Sequence, residues 1–227
     1  MSKGCGDPLL LDADSRPRSC HPLGREFFAR PPRRVARELL GKVLLRVEDG
    51  EIRAGRIVET EAYLGANDAA AHSAAGKTAR NAVLFGPPGY AYVYFIYGAH
   101  YCLNVSCEQE GKAGGVLFRA LEPLLGMEAM ARARKLTTNM GDGVFAGDMR
   151  LLTSGPGRLA AAFGITRLRD NGCDLTSPDS SLWIGEDDFA KATVKVGPRI
   201  GITKAAAHPL RYFIAGNRFV SGPKSWR

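Results

Sequence analysis

The sequence lacks several signatures that would each have fixed a chemistry. No GxxxxGK[ST] loop and no GxGxxG following a strand is present, which sets aside nucleotide-cofactor folds. HxE and PCxxC are both missing, excluding a zinc deaminase on signature. The cysteines (Cys5, Cys20, Cys102, Cys107, Cys173) are odd in number, scattered and without a metal-type CxxC pair, the pattern of free thiols in a reducing compartment. The four histidines, His21, His72, His100 and His208, are too dispersed to argue for a metal, so no metal or cofactor is expected. No apolar run approaches a membrane span. Leu9-Leu10-Leu11 is too short for a signal-peptide core and has acidic flanks. No internal repeat is evident.

Acidic residues are missing from two long stretches. From Phe189 to Arg227 there is no Asp or Glu, against Lys191, Lys195, Arg199, Lys204, Arg211, Arg218, Lys224 and Arg227. Between Gly65 and Cys107 the only acid is Asp68. The net charge of +8 is therefore segregated, which suits a protein facing a polyanion, although a solvated basic face would look the same.

What is present fits one domain of 227 residues with an apolar fraction of 45%. Residues 1–24 have no periodicity and are expected to form a flexible arm, with one packed domain over 25–227. Pro31-Pro32 and Gly41 bracket a helix over Arg33–Leu40. Asp49-Gly50 predicts a tight hairpin between Lys42–Val47 and Glu51–Leu64. A helical turn is expected over Asn67–His72, a strand over Gly114–Leu121, and helices over Leu124–Lys135 and from Ser154-Gly155-Pro156 to Phe163. Leu136–Arg150 reads as loop. Short strands follow around Leu182–Ile184, Thr193–Val196, Ile200–Thr203 and Leu210–Ile214. The expected fold is mixed α/β (α+β): a single domain with a curved, largely antiparallel sheet, surrounding helices and a protruding β-hairpin.

That hairpin is the run from Gly89 to Ser106. Five of the seven tyrosines lie between Tyr90 and Tyr101. Gly98 divides the run into two strands, placing Tyr97 and His100 at an exposed tip where burial cannot be their purpose. A core hairpin with internally bonded tyrosines is the plainer alternative. In the strand before it, a two-residue period puts Ile57, Glu59, Glu61 and Tyr63 on one face. Carboxylates among apolar residues suggest a site, unless they simply line a solvated strand edge. Carboxylates, clustered tyrosines, an asparagine, an arginine and a basic surface are together the parts of a base-flipping enzyme.

Several motifs carry a more specific likeness. Val58-Glu59-Thr60-Glu61-Ala62-Tyr63-Leu64-Gly65, Ala71-His72-Ser73, Arg80-Asn81, Tyr92–Gly98, Cys102–Ser106, Leu117–Pro123, Ser154-Gly155-Pro156 and Pro209–Phe213 resemble the alkyladenine (3-methyladenine) DNA glycosylase family. The likeness runs in order from about Phe27 to Val220.

The resemblance implies that Glu61 is the general base for the attacking water and that Arg119 helps hold that water. It implies a flipped base sandwiched between Tyr63 and the pair His72 and Tyr94, Asn104 disfavouring guanine, and Ile202 as an apolar wall. Tyr97 would enter the minor groove at the vacated position. Arg80, Asn81, His100 and Arg199 are expected at the DNA. Ala99 and His100 depart from the larger apolar and aromatic residues of vertebrate members. The implied partner is double-stranded DNA with damaged purines, acted on by a cytoplasmic, DNA-associated monomer. A non-catalytic minor-groove binder is the alternative, which Glu61 and Arg119 argue against. A lyase would need a lysine Schiff base, and no motif position above is a lysine.

Overall fold

The computed structural model describes residues 20–136 and 147–223. In chain order its elements are β1 (His21–Pro22), α1 (Arg25–Phe28), α2 (Pro32–Glu38), β2 (Val43–Glu48), β3 (Glu51–Tyr63), β4 (Ala91–Ile96), β5 (His100–Ser106), β6 (Gly115–Leu125), α3 (Met127–Ala133), α4 (Arg150–Thr153), α5 (Pro156–Ala162), α6 (Arg167–Asp170), β7 (Leu182–Glu186), β8 (Val194–Gly197) and β9 (Arg211–Ile214). Short 3-10 turns occupy Gly65–Asn67 and Ala82–Phe85. The strands form one antiparallel sheet in the order β1-β7-β2-β3-β6-β5-β4, with the β8–β9 pair branching from β3. The fold is thus mixed α/β with a curled antiparallel sheet, as the sequence predicts.

β3 is the spine. Asp49 (φ 50°) and Gly50 (φ 77°) make the tight turn that lays β2 against its first half, Val43 opposite Arg56 through Glu48 opposite Glu51. Its second half pairs instead with β9, Glu59 opposite Phe213 and Glu61 opposite Arg211. β6 runs along the other edge for almost the whole length, interrupted by bulges at Ala54/Gly55 and on both sides of Glu59. Bulges bend a strand and tighten its twist, which curls this sheet and hands β3 from one neighbour to the next.

The same irregularity corrects the expected face. Ile57 packs in the main core with Ala62, whereas Val58 joins a second cluster with Ala120, Ile214 and Phe219. Glu59, Glu61 and Tyr63 keep the shared face without Ile57. The main core lies between the sheet and α2, α3 and α5, around Phe28, Leu39, Phe118, Met130, Leu159 and Phe163. Each such side chain, fully buried, contributes about 1.5–3 kcal/mol.

Other boundaries shift for local reasons. β6 extends through Pro123 to Leu125, a proline tolerated because it sits at the Ala54/Gly55 irregularity. The expected helix from Leu124 therefore starts only at Met127, after Gly126 (φ 76°) turns the chain. Ile200–Thr203 is a bend rather than a strand, and the turn expected over Asn67–His72 is displaced to Gly65–Asn67. The expected arm overlaps the fold at its end, since His21–Pro22 pairs with β7 and Leu23 is buried. Residues 1–19, and most of the loop expected over Leu136–Arg150, lie outside the described residues.

The tyrosine hairpin is β4–β5, paired from Ala91 opposite Val105 to Ile96 opposite His100. β5 meets β6 only over Asn104–Ser106, so the outer half of the hairpin stands clear of β6. Tyr97 (φ 54°) and Gly98 (φ 66°) form the tip, closed by the Ala99 amide donating to the Ile96 carbonyl at 3.2 Å.

Candidate active site

Glu61 lies on the second half of β3, between Leu117 of β6 and Arg211 of β9, and is wholly shielded from solvent. Its Oε1 accepts from the Ile200 amide at 2.8 Å and lies 3.1 Å from Arg119 Nη1. Its Oε2 accepts from the Tyr63 hydroxyl at 3.0 Å. A carboxylate offers about four lone-pair positions, so at least one acceptor site is left over. Burial pushes the Glu61 carboxyl upward, and Arg119, the Ile200 amide and the Tyr63 hydroxyl only partly offset it. Glu59 adds a smaller push in the same direction as burial.

Glu59, two positions earlier and equally buried, is instead held between two guanidinium groups and hydrogen-bonds to no residue of the adjacent cavity. Its Oε1 accepts from Arg211 Nε at 2.5 Å and from Arg119 Nε at 3.3 Å, and its Oε2 from the Ser221 amide at 2.7 Å. Arg119 therefore straddles the two glutamates, with its Nη2 donating to Ser221 Oγ at 3.3 Å. Burial would lower its pKa, but Glu61 and Glu59 outweigh that and hold it firmly cationic.

Beside this cluster is a cavity of about 120 Å³ whose lining includes Tyr63, His72, Tyr94, Asn104 and Ile202, together with Tyr92. All five residues expected around a flipped base thus meet in one space, and Tyr63 joins that space to Glu61. His72 and Tyr94 pack edge to face at 4.4 Å between centroids, and His72 Nδ1 is 3.0 Å from the Tyr92 hydroxyl. Asn104 pairs with Tyr92 across the hairpin, and its Nδ2 donates to the Tyr92 carbonyl at 3.2 Å. Burial, and then the charge of Arg80, lower the His72 pKa, so the ring is neutral at physiological pH. The space is lined largely by aromatic rings, and the carboxylate bonded to its Tyr63 wall can accept a proton from water.

The remaining expected residues divide. Tyr97 is 79% exposed at the hairpin tip, and Arg80 and His100 are also exposed. Asn81 is buried and works internally: it donates to the His72 and Gly76 carbonyls at 2.9 and 3.0 Å and accepts from the Thr78 amide at 2.7 Å. Arg199 is buried as well, bound to Asp68 through both terminal nitrogens. Asn81 and Arg199, both expected at the DNA, thus sit inside the scaffold of the site, whereas Arg80 and His100 are exposed. Arg211 is likewise consumed by Glu59, so the acid-free segment presents Lys191, Lys195, Lys204 and Arg218 to solvent among the described residues. Tyr92, Asp68, the Ile200 amide and Ser221 are participants that sequence reasoning missed. Asp68 alone left a signal, as the single acid in a long acid-free stretch.

Among the described residues no helix is long and apolar enough to cross a membrane, and no three His, Cys, Asp or Glu side chains cluster as a metal site. The methylpurine-DNA glycosylase family model matches residues 26–218. A protein of Koribacter versatilis is 64% identical over 203 residues, covering 89% of this chain and 94% of its own length. A Rhodopseudomonas palustris protein is 51% identical (89% and 91% covered), and one from Chlorobaculum parvum is 43% identical (88% and 90% covered). All three bear the name "Putative 3-methyladenine DNA glycosylase".

Proposed function

The chain belongs to the methylpurine-DNA glycosylase family, and from that premise we propose that it is a monofunctional base-excision-repair enzyme of alkylated and deaminated purines. Its substrates are bases of the 3-methyladenine, 7-methylguanine, hypoxanthine and ethenoadenine class in duplex DNA. The observation that carries this reading is Glu61: a fully buried carboxylate with an acceptor site to spare, linked by Tyr63 to an aromatic cavity.

The lesion leaves the stack and enters the cavity with Tyr63 on one side and His72 and Tyr94 on the other. Asn104 crowds the position that a guanine 2-amino group would take, and Ile202 closes the apolar side. Tyr97 fills the gap left in the duplex. Water held by Glu61 and Arg119 attacks C1′ of the sugar. The new bond is C1′–O; the bond that breaks is C1′–N, whose electron pair leaves with the base. Glu61 takes the proton from water, and the product is a hydroxyl at C1′ of an abasic site. A cationic alkylated purine departs as a neutral base, so one carboxylate suffices there and the paired carboxylates of O-glycosidases are not required; a neutral purine such as hypoxanthine leaves with the electron pair as an anion and is protonated from solvent. Residues 25–227 act as one catalytic domain, and the protein works on DNA as a monomer.

Incubation with duplexes each carrying one of these lesions, with released bases separated chromatographically, tests the reading. Free base with an intact, alkali-labile strand is the expected product. Binding without release would make the protein a passive minor-groove binder, and a borohydride-trapped covalent adduct would make it a lyase.

A further inference from the structure

Behind the Tyr63 wall lies a charge pair that the reaction above leaves unused. The Arg199 side chain is completely buried. Its Nη1 donates to Asp68 Oδ2 at 2.5 Å and to the Ala62 carbonyl at 3.0 Å, and its Nη2 to Asp68 Oδ1 at 2.8 Å. Asp68 is fixed in turn by the Leu64 and Ala70 amides, each at 3.1 Å. The guanidinium carbon sits 4.6 Å from the centroid of the Tyr63 ring. Tyr63 lines the cavity and Arg199 does not, so the ring stands between the cation and the space for the base.

A buried ion pair is a weak device for stability, because desolvating both charges offsets most of their attraction. Its placement against an aromatic face has an electrostatic consequence. A cation over one face of a ring draws π density towards itself, and the opposite face becomes a poorer partner for a second cation. The purines proposed for this cavity divide by charge: 7-methylguanine in DNA is cationic and hypoxanthine is neutral. We infer that the Asp68–Arg199 pair is a positioning element that sets lesion preference through Tyr63, tempering the stacking of cationic bases relative to neutral ones. This rests on the glycosylase reading. Burial and then Glu61 push the Tyr63 phenol upward, so it stays protonated and donates to Glu61, and Arg199 only partly offsets that push.

The test is the ratio of single-turnover excision of 7-methylguanine to that of hypoxanthine, below saturation so that binding and flipping enter the rate. Asp68→Asn with Arg199→Gln removes both charges, strands neither, and retains hydrogen-bonding groups. The ratio should move towards 7-methylguanine by about two- to tenfold. Asp68→Asn alone leaves the guanidinium uncompensated and should move the ratio the other way. Arg199→Lys keeps the cation and should keep the ratio of the unsubstituted protein. Loosening of the Tyr63 wall would slow both substrates alike and leave the ratio still. An unmoved ratio in the folded double variant, or a shift of the same sign in both Asp68 variants, overturns the inference while the glycosylase reading stands. Release of neither base by the unsubstituted protein overturns both.

Discussion

Although the Ile200 amide, the Tyr63 hydroxyl and Arg119 all favour the charged form of Glu61, burial still holds its folded-state pKa above the unfolded value. A group shifted this way contributes its stability below the unfolded pKa and loses it as pH rises through the folded one. The Glu61 carboxyl therefore costs the fold stability as pH rises above the unfolded value. Glu61→Gln retains the shape and two acceptor contacts, and Arg119 keeps Glu59 as a counter-ion. It should melt above the unsubstituted protein near neutral pH, with the difference closing at acid pH; a variant that melts lower throughout would contradict this. Glu59→Gln should behave in the opposite sense. It weakens the buried compensation of both Arg211 and Arg119, and breaking such a pair costs about 3–5 kcal/mol, readable by urea denaturation. At the cavity, Asn104→Ser should raise excision of guanine-type lesions relative to hypoxanthine, within the roughly 1–3 kcal/mol available to steric discrimination. An unchanged ratio would remove Asn104 as the gate.

The β4–β5 hairpin is the element whose sequence is least explained by folding. Its tip places a bulky non-glycine residue at φ 54°, a left-handed conformation that costs roughly 1–2 kcal/mol, while leaving Tyr97 79% exposed. Neither the backbone nor the core gains from that choice. Tyr97→Gly should leave stability unchanged or raise it by up to about 1 kcal/mol. It should slow excision most where the lesion is well paired, because stacking to be replaced is worth about 1–3 kcal/mol per aromatic contact. Thermal melts with excision rates on paired and mismatched duplexes decide the matter; unfolding, or equal slowing of every substrate, would contradict the wedge. This element was legible in the sequence because its signals are local: alternating aromatics around one glycine, as with Asp49-Gly50 in the β2–β3 turn. The bulge at Val58 was not, because it is fixed by long-range pairing of β3 with β6 and β9. The burial of Arg199 was equally hidden, since its partner Asp68 is distant in sequence and nothing in a run of cations marks which one is enclosed.

At the scale of the whole molecule, the charge of +8 is the feature that should govern encounter with DNA. Not every cation that creates it is available, since Arg199 and Arg211 are spent on buried acids. Binding to undamaged duplex should weaken with salt, each neutralised phosphate contributing about −0.9 to the log–log slope. Replacing the exposed Arg80 by Gln should make the slope shallower by about 0.9 if it neutralises one phosphate. A slope indistinguishable from zero would remove the polyanion reading of the basic surface. The account depends most on one comparison: single-turnover release of free base from a hypoxanthine or 7-methylguanine duplex by the unsubstituted protein and by Glu61→Gln. The predicted result is release by the former, a loss of at least about 10²–10⁴-fold in the latter, and retained duplex binding by both. Excision by Glu61→Gln within a few-fold of the unsubstituted rate would contradict it.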